Sequence, residues 1–225
     1  VGSPKMMGLY LAASSDVDVA LTDLSPLNID EYRAMWRAME RNARGTVSFA
    51  LEDARALTFP DGEFDVVYAM SVIEHVEGRD GDSNAIRELV RVLKPGGLLV
   101  LSVPLGRCYV EQERVGFAGA GKTGDSKAYF FQRIYDPESA ERRILDVAGL
   151  SHVTRITVSR SNQWLMRSFG MLGENIRGAL GVLNPLLSMV VNRSVSGIAD
   201  QMKVTYGARL DPRDVYCDLI VSGLK

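Results

Sequence analysis

Four short groups of residues in the first third of the sequence have side chains that suit ligand binding. They are Gly2-Ser3-Pro4-Lys5, Asp23-Leu24, Glu52-Asp53-Ala54 and Ser71-Val72-Ile73-Glu74-His75. Small residues in a turn allow backbone amides to approach a ligand, and carboxylates accept hydrogen bonds from hydroxyl and amino groups. Because ligands of doubly wound sheets bind beyond the carboxyl ends of the strands, we expect these groups to form one site.

Asp23 has the position of a ribose-binding residue. It follows Gly2 by about twenty residues and ends a predicted strand, a spacing that suits hydrogen bonding to ribose hydroxyls. The alternative is a solvent-exposed Asp that caps the turn Leu24-Ser25-Pro26. For Gly2-Ser3-Pro4, the alternative to a binding loop is a purely structural turn.

The other two groups follow later strands. Asp53, with Ala54 beside it, can accept a hydrogen bond from an exocyclic adenine amine, or it can cap the short turn at 54–56. Ser71 and Glu74 are expected to face a bound cofactor. His75 is a candidate catalytic base because imidazole titrates near neutral pH, although many such histidines only pack at the start of a helix.

The elements that must position these groups alternate between strand and helix. Asn28 is expected to cap the helix after the first strand, and Asp82 or Ser83 the helix that ends at Lys94 before Pro95-Gly96-Gly97. Strands are predicted at 17–21, 46–51, 64–70 and 98–103. This alternation predicts an α/β fold, with a Rossmann-like, doubly wound and mostly parallel sheet.

The second half departs from that alternation. A long loop is predicted at 106–127, a helix at 136–148 capped by Asp136, and strands at 152–160 and within 213–224, with a helical insertion at about 161–212. Within the loop, 116–123 match the spacing of a phosphate-binding loop, but the preceding segment is charged rather than a buried strand. We therefore do not expect nucleotide hydrolysis there.

An aromatic run follows the loop. Tyr129, Arg133 and Tyr135 are candidates for the wall of an acceptor pocket. The alternative is a strand or turn whose aromatic side chains pack on the core, since aromatic residues are frequent in strands.

Composition limits the classes of function. A net charge of −2 in 225 residues argues against a nucleic-acid partner. Two separated cysteines favour a reducing, cytoplasmic setting and no metal site. The apolar segment 176–191 is too short to span a bilayer. Four interpretations of this segment stay open: it contacts a membrane surface, admits a lipid-linked substrate, packs as an insertion or forms a dimer contact. The sequence begins without Met or a signal peptide, so we expect upstream residues to be missing.

Three motifs together resemble the class I methyltransferases of the type 11 group. They are Leu57-Thr58-Phe59-Pro60-Asp61-Gly62-Glu63-Phe64-Asp65-Val66-Val67, Ser71-Val72-Ile73-Glu74-His75-Val76 and Arg91-Val92-Leu93-Lys94-Pro95-Gly96-Gly97. The resemblance covers about 1–105, and it implies a single domain over 1–225. The seven-stranded sheet of that family ends in an antiparallel strand pair. The resemblance implies that the first strand of this sheet lies before Val1 in this protein.

The resemblance also implies S-adenosylmethionine as the cofactor. Carried over by position, Gly2 lies in the loop that holds the methionine part, Asp23 binds the ribose, Asp53 and Ala54 contact the adenine, and Ser71 lies beside the methyl-donor centre. The sequence departs from the family where Gly-x-Gly-x-Gly is usual, because it retains only Gly2 and Gly8 and carries Pro4.

The expected function is therefore methyl transfer to a small molecule or to a glycan or lipid-linked intermediate. One alternative is a methyltransferase-like binding module that has lost catalysis through its altered first loop. A second is a nicotinamide-dependent oxidoreductase, which Gly2 and Asp23 alone would suit. The lack of Gly-x-Gly-x-x-Gly argues against that second alternative.

Overall fold

The computed structural model describes residues 6–115, 128–159 and 217–225. Gly2, Ser3 and Pro4, the phosphate-loop-like segment 116–123, the apolar segment 176–191 and the helical insertion at 161–212 lie outside the described residues. The expectations attached to them stay predictions.

Eight strands and five α-helices make up the described residues. The helices are α1 Met6–Ser14, α2 Pro26–Met39, α3 Gly81–Arg91, α4 Pro137–Ala140 and α5 Asp146–Ala148, with one π-helical turn, Glu141–Leu145, between the last two and 3₁₀ turns at Glu40–Asn42 and Ile73–His75. The strands are β1 Asp18–Asp23, β2 Thr46–Leu51, β3 Phe64–Met70, β4 Leu93–Leu105, β5 Val110–Val115, β6 Ala128–Ile134, β7 Ser151–Ser159 and β8 Cys217–Leu224.

The largest sheet has the strand order β3-β4-β8-β7. β3 pairs parallel with β4, whereas β8 runs antiparallel to both β4 and β7. A parallel sheet that ends in an antiparallel strand pair, with helices between its strands, confirms the predicted Rossmann-like α/β fold.

Among the described residues, β1 and β3 do not pair with each other. β1 and β2 form a separate parallel pair in which Asp23 aligns with Leu51. Within the described residues, β1 pairs only with β2, and β3 only with β4. The helix α1 joins the two parts on one side, because its Gly8 packs closely against Tyr68 of β3 and Leu21 of β1. The two facing strand edges thus border one cleft.

Each part of the sheet has its own core. Leu9, Leu21, Tyr32 and Trp36 form a small cluster between β1 and the helices α1 and α2. A larger cluster joins α3, β4, the 137–148 helical segment and β8. Burial of apolar surface stabilises both, and the larger cluster supports the segment that contains His75.

The predicted loop at 106–127 is wrong over part of its length. Residues 110–115 form β5, which pairs antiparallel with the aromatic strand β6. Gln112 and Gln132 are directly opposite and their side chains hydrogen-bond, and Glu111 lies opposite Arg133. Cross-strand polar pairs of this kind stabilise a hairpin that apolar periodicity alone does not reveal.

The predicted helix caps are partly wrong. α2 begins at Pro26, with Ser25 as N-cap, so Asn28 lies inside the helix. Proline favours the first helical position because that amide has no partner within the helix. α3 begins one residue before Asp82 and ends at Arg91, and neither Asp82 nor Ser83 is its N-cap.

The helix cap at Asp136 is confirmed. Its carboxylate accepts a hydrogen bond from the Ser139 amide at 2.8 Å, and the Ser139 hydroxyl lies 2.9 Å from the Asp136 amide. Pro137 occupies the first helical position. This capping box satisfies backbone amides that a helix start otherwise leaves unpaired.

Candidate functional site

The cleft between β1 and β3 has a volume of about 1460 Å³. Its walls include five of the predicted site residues: Asp23, Leu24, Asp53, Ala54 and His75. The predicted site residues lie where this cleft passes the carboxyl ends of the strands.

Asp23 is positioned by the last residue of β1. It is 7% exposed, and its Oδ1 accepts a hydrogen bond from the Ser25 amide at 2.9 Å. Its backbone carbonyl accepts from the Glu52 amide, which fixes the end of β1 against the end of β2. Asp23 therefore caps the turn at 24–26, as the alternative interpretation expected, and it also places a carboxylate on the cleft wall.

The segment after β2 contains two carboxylates with different environments. Glu52 is buried, and its carboxylate accepts hydrogen bonds from the amide and the hydroxyl of Thr58. Asp53 is more exposed and forms an ion pair with Arg55, whose hydrogen bonds hold the pKa of Asp53 below its ordinary value. Asp53 is thus ionised at neutral pH, and an adenine amine would share its carboxylate with Arg55.

Ser71 turns the chain sharply after β3. Its φ of 50° is in the left-handed region, which costs a non-glycine residue about 1 kcal/mol or more. Its amide lies 3.1 Å from the Ser102 hydroxyl and 3.2 Å from the Ser102 carbonyl, which anchors the turn to β4. This turn directs the 3₁₀ segment at 73–75 across the carboxyl end of the sheet.

Glu74 is the most unusual group of the site. Its side chain is 3% exposed, and among the described residues its Oε2 has no hydrogen-bond partner. Burial raises the pKa of Glu74 to about 7, and the charge of Asp218 on β8 adds to the shift. Hydrogen bonds from its own backbone amide and from Ser71 oppose it. Near pH 7, this carboxyl group is thus present in both protonation states.

His75 lies on the cleft wall beside Glu74. Its Nδ1 is 2.7 Å from the Phe131 carbonyl on β6, and its Nε2 is 3.8 Å from Glu74 Oε1. A carbonyl only accepts hydrogen bonds, so Nδ1 carries the hydrogen and the neutral ring has its lone pair on Nε2. The ring also contacts Phe131 edge to face.

Arg133 and Tyr135, predicted to touch an acceptor, are fully buried. The Arg133 guanidinium donates to the carbonyls of Val76 and Gly78, and the Tyr135 hydroxyl donates to Asp82 Oδ2 at 2.9 Å. Tyr129, on the same strand, is partly exposed in the hairpin. The structure thus links Arg133 and Tyr135 to the segment that follows His75.

Sequence reasoning missed three groups at this edge of the sheet. Ser102 anchors the Ser71 turn, Asp218 acts on Glu74 by its charge, and Asp82 is the centre of a buried ion-pair network. Ser102 lies one residue before the end of the predicted strand 98–103, close to where the rule that led to Asp23 would have searched. Asp218 and Asp82 could not, because they approach the site only through β8 and α3.

The sequence profile of the family described as "Methyltransferase domain" matches residues 5–101. A 27-O-demethylrifamycin SV methyltransferase from Amycolatopsis mediterranei is 32% identical over 144 residues, which are 59% of this chain and 51% of that protein. A ubiquinone/menaquinone biosynthesis C-methyltransferase from Azotobacter vinelandii is 34% identical over 131 residues, 52% of this chain and 51% of that protein. The chain spans about half the length of these curated relatives.

Solved structures of low identity share the fold. A SAM-dependent methyltransferase from Methanosarcina mazei has a TM-score of 0.54 at 14% identity, over 96% of this chain and 85% of that one. The [4+2]-cyclase SpnF has a TM-score of 0.54 at 21% identity, over 96% of this chain and 70% of that one. An N-methyltransferase from Haemonchus contortus, solved with S-adenosylhomocysteine, has a TM-score of 0.51 at 18% identity, over 96% and 45% of the two chains.

The fold and the matched segment define the class of protein. It has the Rossmann-like fold of these methyltransferases, and its residues 5–101 match the methyltransferase domain family. The resemblance noted in the sequence is confirmed. Among the helices of the described residues, none is long and apolar enough to cross a membrane. In the same part of the chain, no group of His, Cys, Asp and Glu could hold a metal ion.

Proposed function

We propose that this protein transfers a methyl group from S-adenosylmethionine to a small-molecule acceptor, and that the donor binds across the carboxyl ends of β1, β2 and β3. The observation that carries the proposal is that Asp23, Asp53 and His75 all line the same cleft. These residues follow three successive strands. The same edge binds ligands in other doubly wound sheets.

The donor-binding residues have the required chemistry. Asp23 can accept from ribose hydroxyls, because a carboxylate has two oxygens that both accept hydrogen bonds. Asp53 can accept from the adenine amine, and the side chains of Leu24 and Ala54 offer apolar surface on the same wall. When bound, S-adenosylmethionine would supply an electrophilic methyl group on a sulfonium.

The main contribution of the protein to catalysis is then orientation. Ser71 and the turn that it forms would hold the segment 71–75 next to the donor, and the closed site would exclude water from the two reactants. Gly2, Ser3 and Pro4 would complete the donor site on the methionine side. These assignments follow the resemblance and the strand order.

Small organic molecules are the acceptor class that we favour. The curated relatives named above act, by their names, on a rifamycin and in quinone biosynthesis. We include a glycan or lipid-linked intermediate among the proposed acceptors. We also propose a cytoplasmic location, because Cys108 is free and exposed and would stay reduced there.

The deciding experiment is calorimetric titration of S-adenosylhomocysteine into the purified protein. We expect binding that Asp23→Ala weakens at least about tenfold, since a hydrogen bond to a charged group contributes roughly 1.5–3 kcal/mol. Asp18→Ala is the matched control. Asp18 lines the same cleft at the opposite end of β1, so its removal should leave the affinity unchanged.

The titration also tests the alternative of a binding module without catalysis. A folded protein that does not bind S-adenosylhomocysteine would contradict the proposal. Binding without turnover of any acceptor would favour the alternative. The cyclase among the structures of the same fold illustrates that the fold alone does not establish methyl transfer.

A further inference from the structure

Arg55 binds the Asp53 carboxylate through three different hydrogens. Its backbone amide donates to Oδ1 at 2.9 Å, its Nη2 donates to Oδ2 at 2.6 Å, and its Nε hydrogen is shared between the two oxygens at 3.0 and 3.1 Å. A guanidinium that meets both oxygens of a carboxylate fixes its orientation as well as neutralising its charge. The Asp53 side chain is therefore held in one orientation before any ligand binds.

The same guanidinium also reaches the segment that follows β3. Its Nη1 donates to the Glu77 carbonyl oxygen over a longer distance, 3.4 Å. Asp53 follows β2, on the part of the sheet with the smaller core, whereas Glu77 follows β3, on the part with the larger core. All three residues line the cleft. Arg55 thus ties the Asp53 carboxylate to the side of the cleft that β3 forms.

The turn that carries Asp53 and Arg55 is anchored to α3. The Leu57 amide donates to Glu88 at 2.8 Å, and the Leu57 carbonyl accepts from Arg91 at 2.9 Å. The Asp53 and Arg55 side chains themselves are 34% and 45% exposed, and solvent screens the attraction of such a pair. Stability is therefore a poor reason for the pair, and its contribution to the cleft is a better one.

The held carboxylate has about one accepting position left for a ligand. A carboxylate offers about four lone-pair positions, and the three hydrogens of Arg55 use three of them. Arg55 also keeps the pKa of Asp53 below its ordinary value, so the carboxylate has no hydrogen to donate at neutral pH. The remaining position thus suits a ligand amine and disfavours a ligand carbonyl oxygen at the same point.

We propose that Arg55 is a positioning residue of the donor site, which aims Asp53 so that the site accepts the adenine amine and rejects a purine with an oxo group in its place. This inference rests on the proposed function and deepens it, because it names the residue that makes the site specific for adenine. Asp53 contacts the ligand, and Arg55 acts through Asp53.

The test is a calorimetric comparison of two ligands. S-adenosylhomocysteine carries the amine, and S-inosylhomocysteine carries an oxo group at the same ring position. We expect wild type to prefer the first by at least about tenfold, because the oxo group gives the carboxylate no hydrogen. Arg55→Gln should reduce this preference to about threefold or less. Arg55→Lys should lie between the two, because lysine keeps the charge without the planar fork of arginine.

The preference, rather than either affinity, is the deciding quantity. A merely structural role of Arg55 would weaken both ligands alike and leave their ratio unchanged. Arg33→Gln is the matched control, because Arg33 also pairs with an aspartate, Asp30, and its side chain is 41% exposed against 45% for Arg55. Arg33 lies on α2, outside the residues that line the cleft, so its substitution should not change the preference.

A double-variant cycle tests whether Arg55 acts through Asp53. Asp53→Asn should also reduce the preference, and adding Arg55→Gln to it should change the preference no further. A further change would show a direct contact between Arg55 and the ligand and would overturn the inference.

Two other results would also count against the role of Arg55. A wild type without preference, or a preference in Arg55→Gln that equals or exceeds that of wild type, would overturn the inference while S-adenosylhomocysteine still binds. A folded wild type that binds neither ligand would contradict the proposed function, and this inference with it. The two failures are thus distinguished by the affinity of wild type for S-adenosylhomocysteine.

Discussion

At the scale of single residues, Asp82 is the centre of the buried polar network behind the site. Its side chain is fully buried, and its two oxygens accept from Arg143 at 2.7 and 2.8 Å and from Tyr135 at 2.9 Å. Burial opposes ionisation, but Arg143, Arg133 and Tyr135 together hold the pKa of Asp82 below its ordinary value. The network thus needs the ionised carboxylate.

We expect Asp82→Asn to lower the free energy of unfolding at pH 7 by about 3–5 kcal/mol. The substitution leaves the buried guanidinium of Arg133 without its nearest buried countercharge and deprives Arg143 of its ion pair. Urea unfolding of both proteins measures the difference. Asp65→Asn is the control, because the Asp65–Lys94 pair is exposed and solvent screens its attraction, so its loss should barely change the stability.

The pH dependence of that difference has a defined sign. A carboxylate whose pKa is depressed in the folded state stabilises the protein at pH values above its unfolded pKa, near 4. This contribution decreases as the pH falls through the lower, folded value. The stability gap between wild type and Asp82→Asn should therefore be constant from pH 5 to 7 and narrow only below about pH 4. A gap that narrowed near neutral pH would contradict the assignment.

At the scale of elements, the β5–β6 hairpin positions the segment that carries Glu74 and His75. The Phe131 carbonyl orients the His75 ring, and Arg133 donates to the carbonyls of Val76 and Gly78. β6 packs against the 73–75 turn, and both contacts come from this strand. The hairpin thus acts on the site from behind rather than from inside the cleft.

We expect Arg133→Lys to loosen this segment, because a lysine cannot donate to both carbonyls in the planar geometry of arginine. Hydrogen exchange of the amides at 75–81 should become at least about tenfold faster, and exchange in β1 and β2 should not change. Arg87→Lys, on the exposed face of α3, is the control. Unchanged exchange together with a lost activity would instead favour a direct contact between Arg133 and the acceptor.

At the scale of the whole molecule, the two parts of the sheet differ in the size of the core that packs against them. β1 and β2 form a two-stranded pair with a small core, whereas β4 and β8 lie in a four-stranded sheet with the larger core. In the described part of the chain, β1 and β2 are packed only against α1 and α2, through the smaller core. Asp23 and Asp53, which we propose to bind the donor, are therefore on the part with the smaller core, and His75 is on the part with the larger one.

We expect native-state hydrogen exchange to show this difference directly. Amides of β1 and β2 should exchange at least about tenfold faster than those of β4 and β8 in the unliganded protein, because they open in a smaller cooperative unit. Saturating S-adenosylhomocysteine should slow β1 and β2, since a ligand that bridges the cleft stabilises both of its walls. Equal protection of all four strands without ligand would show that the sheet opens as one unit.

The sequence by itself determined the order of elements and the row of carboxyl-edge groups. Runs rich in β-branched and aromatic residues at 46–51 and 64–70 predicted β2 and β3 with the bounds that the structure shows, because such residues favour extended backbone. The motifs around Glu74 and Arg91 then indicated the family. These signals are local, because each is contained within one short stretch of sequence.

Only the tertiary structure decided which polar residues meet. The charged strand β5 has no apolar periodicity, and it pairs because β6 offers complementary partners such as Arg133. The pKa of Glu74 is raised in part by the charge of Asp218 on β8, and β6 packs against the 73–75 turn; both strands lie more than fifty residues away in sequence. The protonation of a carboxyl group depends on its solvent exposure and on neighbouring charges, and packing between distant segments sets both. The sequence thus located the site, and the fold determined its acid–base chemistry.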